Sequence, residues 1–213
     1  MKKRKKLLII LLLIIAVLGA LAFWQRDNLK ALYRAKTMDA EAILEEAAEQ
    51  SKVRQKELDE YDVRLKMLTR KEMDTLLDGG SIAQDEDAPA EETLPTDPDA
   101  AKKIIERCIQ ELYDCEVALM SRLGTMKREA LNEWHALPEE QRTKEKKLEI
   151  GYRGLDACYN LEVEIDAQVQ GILAKYRAEL ESINADAAPM DTLWKHYCEE
   201  KVSAKAYYLN KYL

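Results

Sequence analysis

The stretch "NEWHALPEEQ", residues 132–141, separates two long segments whose apolar residues recur every three or four positions. Proline cannot continue a helix but is accepted in the first turn of the next one. Glu139 and Glu140 suit the positive end of a helix dipole. One helix is therefore predicted to end at Leu137 and another to begin at Pro138. Because a short connection makes consecutive helices antiparallel neighbours, this stretch predicts a helical hairpin.

The segments on either side have apolar faces with helical spacing. The face before the turn contains Ala101, Ile105, Cys108, Leu112, Cys115, Leu119 and Met126, and the face after it contains Leu148, Tyr152, Leu155, Cys158, Ile165, Val169, Ile172, Tyr176, Leu180 and Ile183. A break near residue 187 precedes a further helix that carries Trp194, Cys198, Val202, Leu209 and Tyr212. The pattern predicts an antiparallel three-helix bundle over residues 98–213, with Asp97 as the N-cap of its first helix.

A second helical segment is predicted over residues 25–78, where Pro and Gly are absent from Leu29 to Leu77. Its apolar residues alternate in steps of four and three, which is the spacing of a coiled coil. Ser51 and Arg54 interrupt this seam, so the predicted partner face is a weak one. The seam includes Ala40, Leu44, Ala47, Leu58, Tyr61, Leu65 and Leu68. With only seven Gly and five Pro in 213 residues, the chain as a whole is predicted to be all-α.

Residues 79–97 are predicted to be a disordered acidic linker between the coiled coil and the bundle. Eight acidic and no basic residues lie between Asp78 and Asp99, together with three prolines. Such a composition buries too little apolar surface to fold. On this interpretation, deletion of residues 81–95 leaves the folding of the bundle intact.

The amino terminus carries five basic residues at positions 2–6, followed by an uncharged segment over residues 7–24. Its length of about 27 Å as a helix is just enough to span a bilayer, which predicts a single-pass anchor. The same pattern with Ala20 and Ala22 also fits a cleavable signal peptide. The excess of basic residues before the segment predicts an N-terminus inside the cell, with the bulk of the chain outside the cytoplasm at the plasma membrane.

Four cysteines in an oxidising compartment suggest up to two disulfides. A turn centred on residue 138 places Cys115 within one helical turn of Cys158, which makes these two the preferred pair. Cys108 and Cys198 are then the remaining candidates. The alternative is that all four are small buried side chains, a common role of cysteine.

Several functional classes have no support in the sequence. There is no sustained basic stripe for a nucleic acid, no spacing of His and Cys that predicts a metal site, and no motif for a nucleophile, a phosphate or another cofactor. We therefore expect no catalytic activity. Aromatic residues crowd the last helix and form a possible partner surface: Trp194, Tyr197, Tyr207, Tyr208 and Tyr212.

The sequence as a whole predicts a membrane-anchored structural or interaction protein, with the membrane and a protein partner or a second copy as its contacts. Two alternatives stay open at this point. One is a secreted helical module that binds a small molecule or a glycan. The other is an accessory subunit of a membrane enzyme or transporter.

Overall fold

The computed structural model describes residues 26–82 and 99–212, and within these ranges every regular element is a helix. The all-α prediction is confirmed for this part of the chain. The six α-helices are α1 (Arg26–Thr37), α2 (Ala40–Asp59), α3 (Arg70–Leu77), α4 (Ala100–Ala136), α5 (Lys144–Ser182) and α6 (Ala188–Tyr212), and a 3₁₀ turn, Glu139–Gln141, lies between α4 and α5.

The predicted basic tail (1–6), the predicted anchor (7–24) and most of the predicted linker, including Asp97, lie outside the described residues. Among the helices of the described part, none combines the length and the apolar character needed to cross a membrane.

The loop between α4 and α5 is longer than the turn predicted at Pro138. Pro138 leads into the 3₁₀ turn, and α5 begins only at Lys144, after Thr143 has capped it by accepting a hydrogen bond from the backbone N–H of Lys146. Arg142 closes the loop because its guanidinium donates to the carbonyl oxygens of Leu137 and His135. The predicted start of this helix at Pro138 is therefore six residues early.

Four ion pairs fix the register between α4 and α5, which pack against each other along the hairpin. They are Arg107–Glu179, Glu111–Lys175, Arg122–Glu164 and Glu133–Arg153, and the residue numbers of each pair add up to 286. The two helices are thus antiparallel. Residue 115 lies level with residue 171, and the register differs by ten from the one that a turn at residue 138 predicts.

The described chain forms two compact units. Unit 1 comprises the chain up to Arg54 and residues from Lys195 onward, and unit 2 comprises Gln55–Trp194. The divisions fall inside α2 and inside α6, whereas the sequence analysis placed a boundary at the acidic linker. Both helices contribute one part to each unit because they are continuous across these divisions.

In unit 2 the chain leaves the helical conformation after Asp59 and continues without helix through residues 60–69. The side-chain amide of Gln55 stabilises this segment: its nitrogen donates to the carbonyl oxygen of Val63, and its oxygen accepts from the N–H of Leu65. Asp62 has a φ of 54°, in the left-handed region, which turns the chain. The prediction of one uninterrupted coiled-coil helix over 25–78 is therefore wrong, and Tyr61, Leu65 and Leu68 lie on no helix.

This segment and α3 run along α4 in the same direction as α4. Lys66 donates to Gln110, the N–H of Leu68 donates to Glu116, and Asp78 pairs with Lys127. Leu58, Val63, Leu68, Met73 and Leu76 are buried, at spacings that follow no heptad. Part of the second half of the predicted coiled-coil helix therefore contributes to the core of unit 2.

The end of α3 touches α4 at a glycine. A Cβ atom on Gly124 would collide with the carbonyl oxygen of Leu76 and lie 3.2 Å from the Cα of Leu77, so only glycine fits this crossing. A Cβ atom on Gly151 or on Gly154, both on α5, would have no described neighbouring atom within 4 Å.

These glycines give a matched test of the crossing. We expect Gly124→Ala to lower the free energy of unfolding by about 2 kcal/mol, since the backbone of α3 must move. Gly151→Ala and Gly154→Ala should each raise it by about 0.5–1 kcal/mol, because alanine favours a helix more than glycine does. Urea unfolding followed by circular dichroism measures all three; equal effects at the three positions would contradict the close approach.

Unit 1 has a small core where α1 and α2 meet the second half of α6. Ala31, Ile43, Val202 and Ala206 are buried together, with Met38, Tyr207 and Leu209 packed against them. Arg34 donates to Glu46 and to the buried hydroxyl of Ser203, and Asn210 donates to the carbonyl oxygens of Ala35 and Met38.

Candidate functional site

The outer part of the α4–α5 hairpin has almost no buried residues. Between Gly124 and Leu161, a described stretch that holds the last third of α4 and nearly the first half of α5, Ile150 alone is buried. In the inner part, by contrast, Ile104, Ile105, Cys108, Leu180 and Tyr176 are nearly inaccessible. The hairpin therefore has a packed inner half and an outer half that consists of two helices alone.

The exposed outer half carries a continuous row of large apolar side chains on α5, here called the α5 stripe. It consists of Leu148, Tyr152, Leu155, Tyr159 and Val163, with exposed fractions of 48, 68, 67, 45 and 51%. Steps of four, three, four and four residues keep these side chains on one helix face. The stripe is about 22 Å long at helical rise. Contiguous apolar rows of this kind on a water-exposed surface are typical of interaction sites.

Among the described elements of unit 2, the neighbours of the α4–α5 hairpin are too short to reach the α5 stripe. Helix α3 ends at Leu77 beside Gly124. The part of α6 that belongs to unit 2 packs near the opposite end of the hairpin, where the Cys108 Sγ lies 3.7 Å from the Met190 Sδ and Arg177 pairs with Asp191. Within unit 2, no described element covers residues 148–163 of α5.

The charges near the α5 stripe change sign along its length. From Lys144 to Gly154 the helix carries four basic and two acidic residues, and from Leu155 to Asp166 it carries four acidic and no basic residues. Arg153 is engaged with Glu133, and Glu164 with Arg122, both across the hairpin. Lys144 and Lys147 lie at the basic end of the stripe, and Asp156 and Glu162 lie at the acidic end.

The sequence pattern includes three of the five stripe residues, Leu148, Tyr152 and Leu155, in the apolar face of a predicted bundle helix. The predicted three-helix bundle would bury this face, and Tyr159 and Val163 are not part of it. A comparison of lengths could have shown the opposite: α5 has 39 residues and α6 has 25, of which only the first seven belong to unit 2.

The four cysteines all lie in the described chain, and all are free thiols. Cys115 is level with residue 171, so Cys158 is about 20 Å away along the helix axis and the predicted bridge between the two is wrong. Cys108 and Cys115 are buried, which matches the alternative interpretation, and burial raises the pKa of the Cys108 thiol to about 12. Cys158 is exposed beside the α5 stripe, and Cys198 is half-buried in unit 1.

The aromatic residues predicted as a partner surface are less accessible than the α5 stripe. Trp194, Tyr197, Tyr207 and Tyr208 are all half-buried, and the side chain of Tyr212 is outside the described part. Tyr207 packs on the core of unit 1 and meets Tyr208 edge to face at 5.2 Å. Trp194 belongs to unit 2, so these residues do not form one continuous surface within a single unit.

One buried polar residue was missed by the sequence analysis. His196 in unit 1 is 9% exposed, and its Nδ1 atom has no hydrogen-bond partner. Burial, together with the positive charge of Arg54, lowers the pKa of the imidazole to about 4. Within the described ranges no cluster of His, Cys, Asp or Glu side chains has an arrangement that could hold a metal ion.

Comparison of the chain with protein-family models, with curated proteins and with solved structures finds no match.

Proposed function

We propose that the protein is a membrane-anchored, non-catalytic interaction module, whose helical part lies outside the cytoplasm and docks a protein partner through the α5 stripe. The single observation that supports docking is the exposure of Leu148, Tyr152, Leu155, Tyr159 and Val163 on one helix face. Tyrosine is one of the side chains enriched at the hot spots of protein interfaces. A docking role of the α5 stripe explains why these apolar side chains are exposed in the folded chain.

The membrane part of the proposal depends on residues 7–24 and has support in α1, which begins two residues after them. Leu29, Leu32 and Tyr33 are 51, 38 and 69% exposed, and Lys30 and Lys36 flank them. An apolar helix face with lysines beside it is suited to the headgroup region of a bilayer. This arrangement is what we expect of the first helix after an anchor.

Docking is tested by a photoreactive amino acid in place of Tyr152 in the full chain, irradiated in intact cells. We expect an adduct of defined mass that is lost when Leu155→Asp is added. The matched control has the same probe at Ala157, which is exposed on the opposite face of α5. Equal adducts from both positions, or none from position 152, would contradict a docking role of the stripe.

The topology is tested separately, by a protease added to whole cells. We expect digestion of the helical part before lysis and a membrane-bound fragment that retains Met1. Digestion only after lysis would reverse the orientation, and a mature chain that begins near Ala22 would favour the secreted alternative.

A further inference from the structure

The α5 stripe is close to self-complementary when it meets a second copy of itself in the antiparallel direction. With a two-fold axis beside Leu155, Leu148 of one copy lies level with Val163 of the other, and Tyr152 lies level with Tyr159. The two copies of Leu155 meet at the axis. Each apolar side chain of the stripe thus faces an apolar side chain, as a symmetric interface requires.

The charges favour the same arrangement. In the antiparallel pair, Lys144 and Lys147 of one copy approach the acidic residues between Glu162 and Asp166 of the other. A parallel pair would bring the basic ends together and the acidic ends together, which is repulsive. Because the charge changes from basic to acidic along α5, the stripe favours a partner helix whose charge changes in the opposite direction. In the antiparallel pair, α5 of a second copy meets this condition.

We propose that two copies of this protein associate through their α5 stripes, so that the two α5 helices pack against each other in antiparallel orientation. This inference rests on the proposed function and names the partner that the docking surface accepts. The two α5 helices then bury their apolar stripes between them, which a single hairpin cannot do. Anchoring in one membrane raises the effective concentration of the two stripes, so a modest intrinsic affinity is sufficient.

Cysteine crosslinking of the full chain in detergent or in lipid vesicles tests the geometry. The background is Cys158→Ser with Cys198→Ser, which leaves only the two buried cysteines. With a short bismaleimide, Leu155→Cys alone should give a covalent dimer, because the two positions meet at the axis. Leu148→Cys alone should give none, because its two copies are about 22 Å apart along the axis. An equal mixture of Leu148→Cys and Val163→Cys chains should restore the dimer.

The proposal is wrong if Leu155→Cys gives no crosslinked dimer at any protein concentration. It is also wrong if Leu148→Cys alone gives as much dimer as Leu155→Cys, because that result indicates parallel pairing. Sedimentation velocity provides an independent measurement. Leu155→Asp should convert a dimer into a monomer, whereas the control Ala157→Asp should remain a dimer. Both variants should keep the helical circular dichroism spectrum of the unmodified chain, since both side chains are exposed in the single chain.

The two proposals fail in different ways. If the Tyr152 photoprobe captures a different protein through the stripe while the chain sediments as a monomer, self-association is wrong and the interaction function stands. If the captured product is an internal crosslink to residues 1–25 or 83–98, the stripe is covered by its own chain, and self-association is again wrong. If position 152 yields no stripe-dependent product in cells, the interaction function itself fails.

Discussion

Deletion of residues 81–95 should abolish the stable packing of α3 on α4 and lower the free energy of unfolding of unit 2 by about 5 kcal/mol. Asp78 is fixed beside Lys127, whereas α4 begins at Ala100, about 40 Å away at helical rise. The five peptide units left between Gly80 and Ala100 reach only about 17 Å. The side chains of Leu68, Met73 and Leu76 then become exposed, and each exposure lowers the free energy of unfolding by about 1.5–3 kcal/mol.

Two controls separate the length of this connection from its composition. Deletion of residues 85–89 leaves fifteen peptide units, which reach about 50 Å, and should preserve stability. Replacement of residues 81–95 by fifteen Gly and Ser residues should also preserve it, although all five acidic residues of the stretch are removed. Denaturant unfolding followed by circular dichroism measures the series. Unchanged stability of the fifteen-residue deletion would support the independent bundle that the sequence alone suggests.

Unit 1 should lose about 3 kcal/mol of stability as the pH falls from 7 to 4, because of His196. The pKa of this buried imidazole is about 4 in the folded chain, below the ordinary value of 6.5. Between these values the unfolded chain takes up a proton that the folded chain does not. The stability that the neutral His196 side chain contributes is therefore fully present above pH 6.5 and is lost progressively as the pH falls to 4.

A His196→Leu variant isolates this effect from the carboxylates that titrate in the same range. Its loss of stability between pH 7 and pH 4 should be smaller than that of the unmodified chain by about 3 kcal/mol. Unfolding in urea at several pH values gives the comparison, and the NMR titration of the histidine ring gives the pKa directly. Parallel stability profiles for the two proteins would show that the imidazole titrates normally.

The helices of the hairpin could be predicted because local signals suffice for them. Pro138 ended the helix at the observed place, within one residue, and the break near residue 187 preceded α6. The register could not be predicted in the same way. The register depends on Arg142 and Thr143, whose hydrogen bonds stabilise a turn of seven residues between the two helices. A pattern of apolar residues contains no information about these contacts. An error of ten in the register was enough to suggest a disulfide between two distant cysteines.

The extended segment over residues 60–69 was missed for a related reason. Helical periodicity continues through it in the sequence, with no Pro or Gly to end the helix. The side chain of Gln55 replaces the backbone hydrogen bonds that are lost there, and burial of Val63 and Leu68 against the rest of unit 2 stabilises the change. Tertiary packing thus overrides local helical preference at this point.

The division of the chain also determines how the protein bears mechanical load. Unit 1 contains both the segment that follows the predicted anchor and the carboxyl terminus, so unit 2 is an insertion between its two parts. A force applied between Arg26 and Asn210 is resisted first by the small core around Ile43 and Val202. As long as that core holds, the hairpin with its α5 stripe experiences no tension.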